Sequence, residues 1–249
     1  MKTLLCDLVT DIRMLSRVPV SAFFTVIFPS LMLIIMMTSY GNPDIGSGIR
    51  LSDKYILIAS GMGLAPLTLI TFPSWICSSV ESSYLLRLKY LHVSLARVAT
   101  SNALAHMVVA LCGTAVTLAV GVLFYDMRIP SLPALIAYLL QLVVVTASLM
   151  LFGAALAFIV RQTAVAIAVG LVLMFVVYML CGVFGDYSAM PAGLQAAGNL
   201  VPLKYLMNDG FDVWTSTRLM IPRLWATSAG WACASAVVAV IAARRRLRR

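Results

Sequence analysis

Six stretches of this sequence run for about 20 residues or more with almost no charge. They lie near 19–40, 55–78, 99–124, 133–159, 163–184 and 222–243. A helix needs about 20 apolar residues to cross the hydrocarbon core of a bilayer. The runs are continuous rather than alternating, which selects helices over the strands of a membrane barrel. Asp, Glu, Lys and Arg together make up 11% of the chain, against roughly 25% in a soluble domain. Too few charges remain to cover a water-facing surface. The expected fold is therefore an all-α integral membrane protein with six spans, forming a single transmembrane domain over 1–249.

Charge placement orients the spans. With the N-terminus on one side, twelve of the eighteen basic residues fall on that side, against Asp7, Asp11 and Glu81. The other side carries Arg50, Lys54, Arg128, Lys204, Arg218 and Arg223, balanced by six aspartates. The whole net charge of +9 thus belongs to one face. The positive-inside rule makes that face cytoplasmic, with both termini inside and the chain in the plasma (inner) membrane. The tail "ARRRLRR" reads as a flank gripping anionic headgroups rather than a nucleic-acid site. No short apolar core precedes an A-x-A-like site, so the first run is expected to be a span and not a cleaved signal.

The segments between spans differ in character. Residues 1–18 are too polar to span. Leu4, Leu5, Leu8, Ile12 and Leu15 recur at helical spacing, with Asp7, Asp11 and Arg13 off that stripe. This is expected to be an amphipathic helix at the inner interface, serving either as a lipid anchor or as an elbow that touches a cytoplasmic partner. Residues 185–221 are long and half apolar. Pro191 and Pro202 can each open a short helix there. Pieces of about a dozen residues cannot span, so a re-entrant hairpin is expected, with a surface loop carrying interfacial helices as the alternative.

Catalytic chemistry is missing. The chain has no GxxxxGK[ST] phosphate loop, no HExxH, no GxSxG and only two histidines, His92 and His106. Cys6, Cys77, Cys112, Cys181 and Cys233 show no ligand spacing and read as small hydrophobes. Every acidic residue sits at or beyond a span end, which argues against a proton- or sodium-driven carrier. Asn102, His106 and Gln141 are the polar groups within spans, and interhelical hydrogen bonds are their simplest role.

The segment 79–97 holds Glu81, the one glutamate, in "SSVESSYLLRLKYLH". On a helix from Tyr84, the side chains of Tyr84, Leu88, Leu91 and Leu95 share a face, with Arg87 and Ser94 beside it. Such a ridge suits a groove on a partner or, more simply, the lipid surface. Glu81 either bonds the amides opening that helix or pairs with a nearby basic residue.

Two motifs resemble one family, the membrane subunit of ABC-2 type exporters. "ESSYLLRLKYLHVS" is similar to its E-x-G-T-L-x-R-L-L-x-x-P-V-S pattern at Glu81, Leu85, Arg87, Leu88, Val93 and Ser94. It departs at Ser83, Tyr84 and His92, where the family often has Gly, Thr and Pro. "CGVFGDYSAMPAGLQAAGNLVPLKY" resembles the signature after span five at Gly182, Phe184, Pro191, Leu194, Pro202, Leu203 and Tyr205.

The resemblance implies a permease subunit paired with a second one, as a homo- or heterodimer. Each would rest on a separate cytoplasmic ATPase, which binds the ATP and magnesium; this chain would hold no cofactor. It implies a coupling helix containing Glu81, Tyr84, Arg87, Leu88 and Leu91, and an elbow helix with Asp7, Asp11 and Arg13. An external gate would involve Pro191, Pro202 and Tyr205. A pathway along spans one, two and five would draw on Phe23, Phe24, Phe28, Met32, Met36, Phe72, Trp75, Phe175 and Tyr178. The cargo would be hydrophobic or amphipathic: a drug, antibiotic, peptide or lipid-like molecule. The competing readings are a non-transporting membrane scaffold or immunity protein, and an ion-coupled carrier.

Overall fold

The computed structural model describes residues 2–17, 23–46, 49–185 and 187–247. Residues 19–22 of the first expected span, Asp186, and the terminal Arg248 and Arg249 lie outside the described residues, as do the side chains of Lys2, Leu4, Lys89 and Arg244–Arg246.

The chain is almost entirely helical. Helix α1 (Lys2–Ser16) is followed by a π-turn (Phe23–Ile27) running into α2 (Phe28–Tyr40). A small antiparallel ladder, β1 (Asp44–Gly46) with β2 (Ile49–Arg50), leads to α3 (Leu51–Pro66). A second π-turn (Leu67–Thr71) joins α3 to α4 (Phe72–Glu81), making one rod of 31 residues. Then come α5 (Tyr84–Tyr90), α6 (Leu95–Tyr125), α7 (Leu132–Val160) and α8 (Thr163–Leu180). A 3-10 turn (Tyr187–Ala189), α9 (Ala192–Gly198), α10 (Pro202–Lys204), a third π-turn (Tyr205–Asp209) and α11 (Gly210–Trp214) precede α12 (Pro222–Leu247).

Among the described residues, five helices are long and apolar enough to cross a membrane: Phe23–Tyr40, Leu51–Glu81, Leu95–Tyr125, Leu132–Val160 and Thr163–Leu180. The chain is thus a multi-pass membrane protein. The stretch expected as a sixth span lies on α12, which packs along α7 but is not one of the five. Because the helices alternate in direction, one end of the bundle gathers α1, α5 and the turn at Arg161. We call it the basic end. The other, the neutral end, gathers the ladder, the Asp126 turn and helices α9–α11.

The helix boundaries follow from local chemistry. Ser94 Oγ accepts from the Arg97 amide (3.4 Å) and so caps α6. Asp53 accepts from the Arg50 amide (2.9 Å) at the start of α3, and also from the Arg128 amide (3.1 Å), tying two loops of the neutral end together. Asp126 (φ 47°) and Arg161 (φ 65°) close α6 and α7 in the left-handed region.

The rod α3–α4 is the spine of the molecule. From Ala59 to Leu69 every residue is buried. Its prolines explain how the other helices meet it. A proline has no N–H to give to the carbonyl four residues back. Pro66 therefore leaves Met62 O without that bond, and the Tyr178 hydroxyl of α8 donates to it (2.5 Å). Pro73 does the same to Leu69 O, which faces Gly170 of α8, and Pro29 to Thr25 O, which faces Gly113 of α6. Gly153 of α7 lies against Thr68 O in the same way. At all three glycines an added Cβ would collide with the carbonyl oxygen. Small residues let helix backbones approach this closely in a bilayer, and Cα–H···O contacts reward it.

Candidate functional site

At the basic end, α5 stands between two residues in left-handed conformation, Ser83 (φ 56°) and His92 (φ 57°). The helix ends at Tyr90, so the expected ridge is shorter than its spacing implied. Tyr84 (45% exposed) and Leu88 remain one turn apart on it, but Leu91 (72% exposed) lies in the turn beyond. Leu95 already belongs to α6. The backbone reverses at His92, which breaks the helical register that the continuous pattern assumed. Arg87 is exposed.

Among the described residues, Glu81 neither bonds the amides opening α5 nor pairs with a basic residue. Its carboxylate accepts from the Thr163 amide (3.0 Å) and from the Thr163 hydroxyl. Thr163 opens α8, whose preceding residue, Gln162, supplies no side-chain cap. Glu81 therefore provides the missing anionic cap from 82 residues away in sequence. The end of span two is thereby fastened to the start of span five, right where α5 departs.

Helix α1 lies across α6. Asp7 pairs with Arg97 (3.0 Å), and Asp11 accepts from the Ser101 hydroxyl (2.6 Å). Leu15 is buried, while Leu5, Val9, Met14 and Arg13 are exposed. The acidic stripe thus faces the protein, and apolar residues remain for a lipid surface. Burial together with the Asp11 and Asp7 carboxylates raises the Tyr84 hydroxyl above its ordinary pKa, which places the start of α5 close to α1.

Two clefts open on opposite sides of the buried spine. The basic-end cleft, of roughly 440 Å³, is walled by Asp11, Met14 and Leu15 of α1, by Ile70 to Ser78 of the spine, and by Asn102, Thr163 and Ile167. The neutral-end cleft, of roughly 530 Å³, is walled by Met32, Met36 and Tyr40, by Lys54, Tyr55 and Met62, and by Phe184, Tyr187 and Asn208.

The expected pathway residues do not share one cavity. Met32 and Met36 line the neutral-end cleft and Trp75 the basic-end cleft. Phe72 is buried between His106 (ring centroids 5.2 Å apart) and Trp75 (6.2 Å). Phe23, Phe24 and Phe28 cluster with one another, Phe175 is exposed, and Tyr178 is the buried strut to Met62.

The segment expected as a gate packs tightly on the neutral end. Pro191 precedes α9, and Pro202 opens α10. Residues 201–207 are buried without interruption. Tyr205 donates to Asn199 O (2.9 Å). Sequence reasoning missed Lys204, which is buried there beside Asp209 (3.3 Å), with its ammonium 4.8 Å from the Tyr187 ring and 4.5 Å from the Tyr205 ring. A lysine inside an apolar run with an aspartate five residues on was the available signal. It also missed Asn208, which donates to Cys181 O at the end of α8 (2.9 Å).

The three polar residues within spans divide. Gln141 donates to Leu219 O across elements (3.3 Å). His106 Nδ1 bonds the Asn102 carbonyl of its own helix (2.9 Å), and its buried Nε2 has no partner among the described residues. Asn102 Oδ1 is likewise buried with no partner among the described residues, on a residue that walls the basic-end cleft.

No curated protein and no solved structure gives a significant match to the chain. One family model, described as ABC-2 type transporter, matches residues 8–209, from within α1 to the π-turn before α11. That range holds both clefts' principal walls, α5 with its Glu81 tether, and the packed segment at the neutral end. The chain belongs to the ABC-2 type transporter family, as a membrane permease component of an ABC transporter.

Proposed function

We propose that this chain is the permease subunit of an ATP-driven exporter, moving a hydrophobic or amphipathic molecule outward with a separate cytoplasmic ATPase. The observation that carries the reading is α5 and its anchorage. An exposed short helix is joined through Glu81 to the first turn of α8 and flanked by α1, so a push on α5 reaches spans two, three and five together. An ATPase closing beneath it would have a lever. The excess of basic residues makes this end cytoplasmic. On this reading α12 is the sixth span, a second permease subunit completes the pathway, and the segment 185–221 is a re-entrant lid on the outside.

The test replaces Tyr84 and Leu88 together with Asp. A cytoplasmic ATPase is expected to co-purify with the wild type and to be lost from the double variant, while membrane insertion is unchanged. Undiminished ATPase assembly and transport in that variant would overturn the coupling role. An imposed ion gradient that drives transport without ATP would overturn the exporter reading itself.

A further inference from the structure

We propose that the basic-end cleft recognises an organic cation with an apolar body, using Asp11 as its counter-charge and Asn102 Oδ1 as an acceptor. The inference rests on the export reading and names the class of cargo for it.

The cleft's walls are apolar where they are broad: Met14, Leu15, Ile70, Trp75 and Ile167. Three of its hydroxyls have already committed their protons within the protein. The Thr71 hydroxyl donates to Pro66 O, the Ser74 hydroxyl to Ile70 O and the Thr163 hydroxyl to Glu81, so their oxygen lone pairs are what remains for a guest. Asn102 is 2% exposed, and its Oδ1 has no partner among the described residues. A buried acceptor left without a donor is costly, and a guest that meets it recovers that cost.

Charge narrows the guest further. This end of the bundle is dominated by Arg, yet among the described residues no Lys or Arg lines the cleft, and Asp11 does. Arg97, the one Lys or Arg in α6, is neutralised by Asp7, one turn along α1 from Asp11. An anionic amphiphile would face Asp11 with nothing to balance it. A cation would be paired with the carboxylate and could also rest against the Trp75 ring. The neutral-end cleft has the opposite sign, with Lys54 on its wall. A cation leaving the inner cleft would therefore find no second trap outside.

The test is equilibrium dialysis of the full chain in phosphatidylcholine nanodiscs against radiolabelled tetraphenylphosphonium, with empty nanodiscs as the partition control. Tetraphenylborate serves as the anion of the same shape. Saturable binding of the cation alone is expected, weakened about tenfold or more by Asp11→Asn, since one lost charge contact exceeds the 1.4 kcal/mol that a decade represents. The new amide still accepts from Ser101, so the α1–α6 contact survives. Asn102→Leu, which removes the acceptor and leaves Asp11, is expected to weaken binding severalfold. Absence of saturable cation binding, equal binding by wild type and Asp11→Asn, or equal affinity for the borate would each overturn the proposal. All arms use the permease without its ATPase. Failure here leaves the export reading standing, whereas failure of the ATPase to assemble removes that reading and leaves a cation site without a role in export.

Discussion

The two ends of the bundle are built on different principles. At the neutral end, residues 201–207 are buried in a continuous run, Lys204 is enclosed by two rings and a carboxylate, and Met207 fills the space against Gly61. At the basic end the apolar packing is thinner, and polar contacts tie exposed or half-exposed elements together: Glu81 to Thr163, Asp7 to Arg97 and Asp11 to Ser101. Packing distributes its energy over many atoms and tolerates little displacement. A few solvent-accessible hydrogen bonds open at low cost. The neutral end is therefore the stiff one, and the basic end can yield to a partner and transmit its movement along the spine.

The largest test of this contrast is at the spine itself, which belongs to the stiff part. Gly153→Val drives a side chain into the Thr68 carbonyl and is expected to cost about 1–3 kcal/mol, lowering the melting point in nanodiscs by roughly 5 °C. An unchanged melting point would mean that α7 and the spine are not in backbone contact.

Next in size is Glu81→Ala, on the yielding side. It is expected to reduce ATP-coupled transport several-fold while costing stability only about 1 kcal/mol, the value of a helix cap. A large loss of melting temperature with coupling intact would reverse the assignment of the two ends.

Tyr178→Phe should cost about 1 kcal/mol or somewhat less, as single hydrogen bonds within membranes do. The decisive form is a double-mutant cycle with Pro66→Ala. Restoring an N–H at position 66 gives Met62 O a partner within its own helix, so the Tyr178 substitution is expected to cost less in that background. Additive effects would show that the proline and the tyrosine are unrelated.

Smallest is Ser83→Gly. Ser83 holds a left-handed conformation that glycine adopts freely, so a gain of about 0.5–1 kcal/mol is expected, read as a slightly higher melting point. The glycine that the resemblance implied at this position would suit such a backbone. A loss of stability would mean that the serine side chain contributes more than its backbone strain costs.

Much of this architecture was legible. Apolar runs of sufficient length can only be helices in a bilayer, because every backbone group must find its partner locally. Proline marks where helices begin, as at Pro202 and Pro222. The partners of individual side chains were not legible. Glu81 was expected to serve its own helix or a basic neighbour, since periodicity describes one segment at a time. Nothing in it says that α8 arrives with an uncapped first turn. Leu91 and Leu95 looked continuous with Tyr84 and Leu88 because a left-handed histidine leaves no mark on hydrophobic spacing. The Met and aromatic residues of spans one, two and five looked like one lining, and they were distributed among two clefts, a phenylalanine cluster, a buried strut and an exposed face.

By itself the sequence determined a helical membrane protein of the ABC-2 type, with a short polar segment after span two. Those properties follow from solvent preference and local backbone geometry, which act along the chain. Tertiary structure alone decided that carbonyls left without their usual bond by Pro29, Pro66 and Pro73 would be met by Gly113, Tyr178 and Gly170, and that Glu81 would cap a helix 82 residues away. These are pairings between distant segments, and they exist only once packing has brought the helices together.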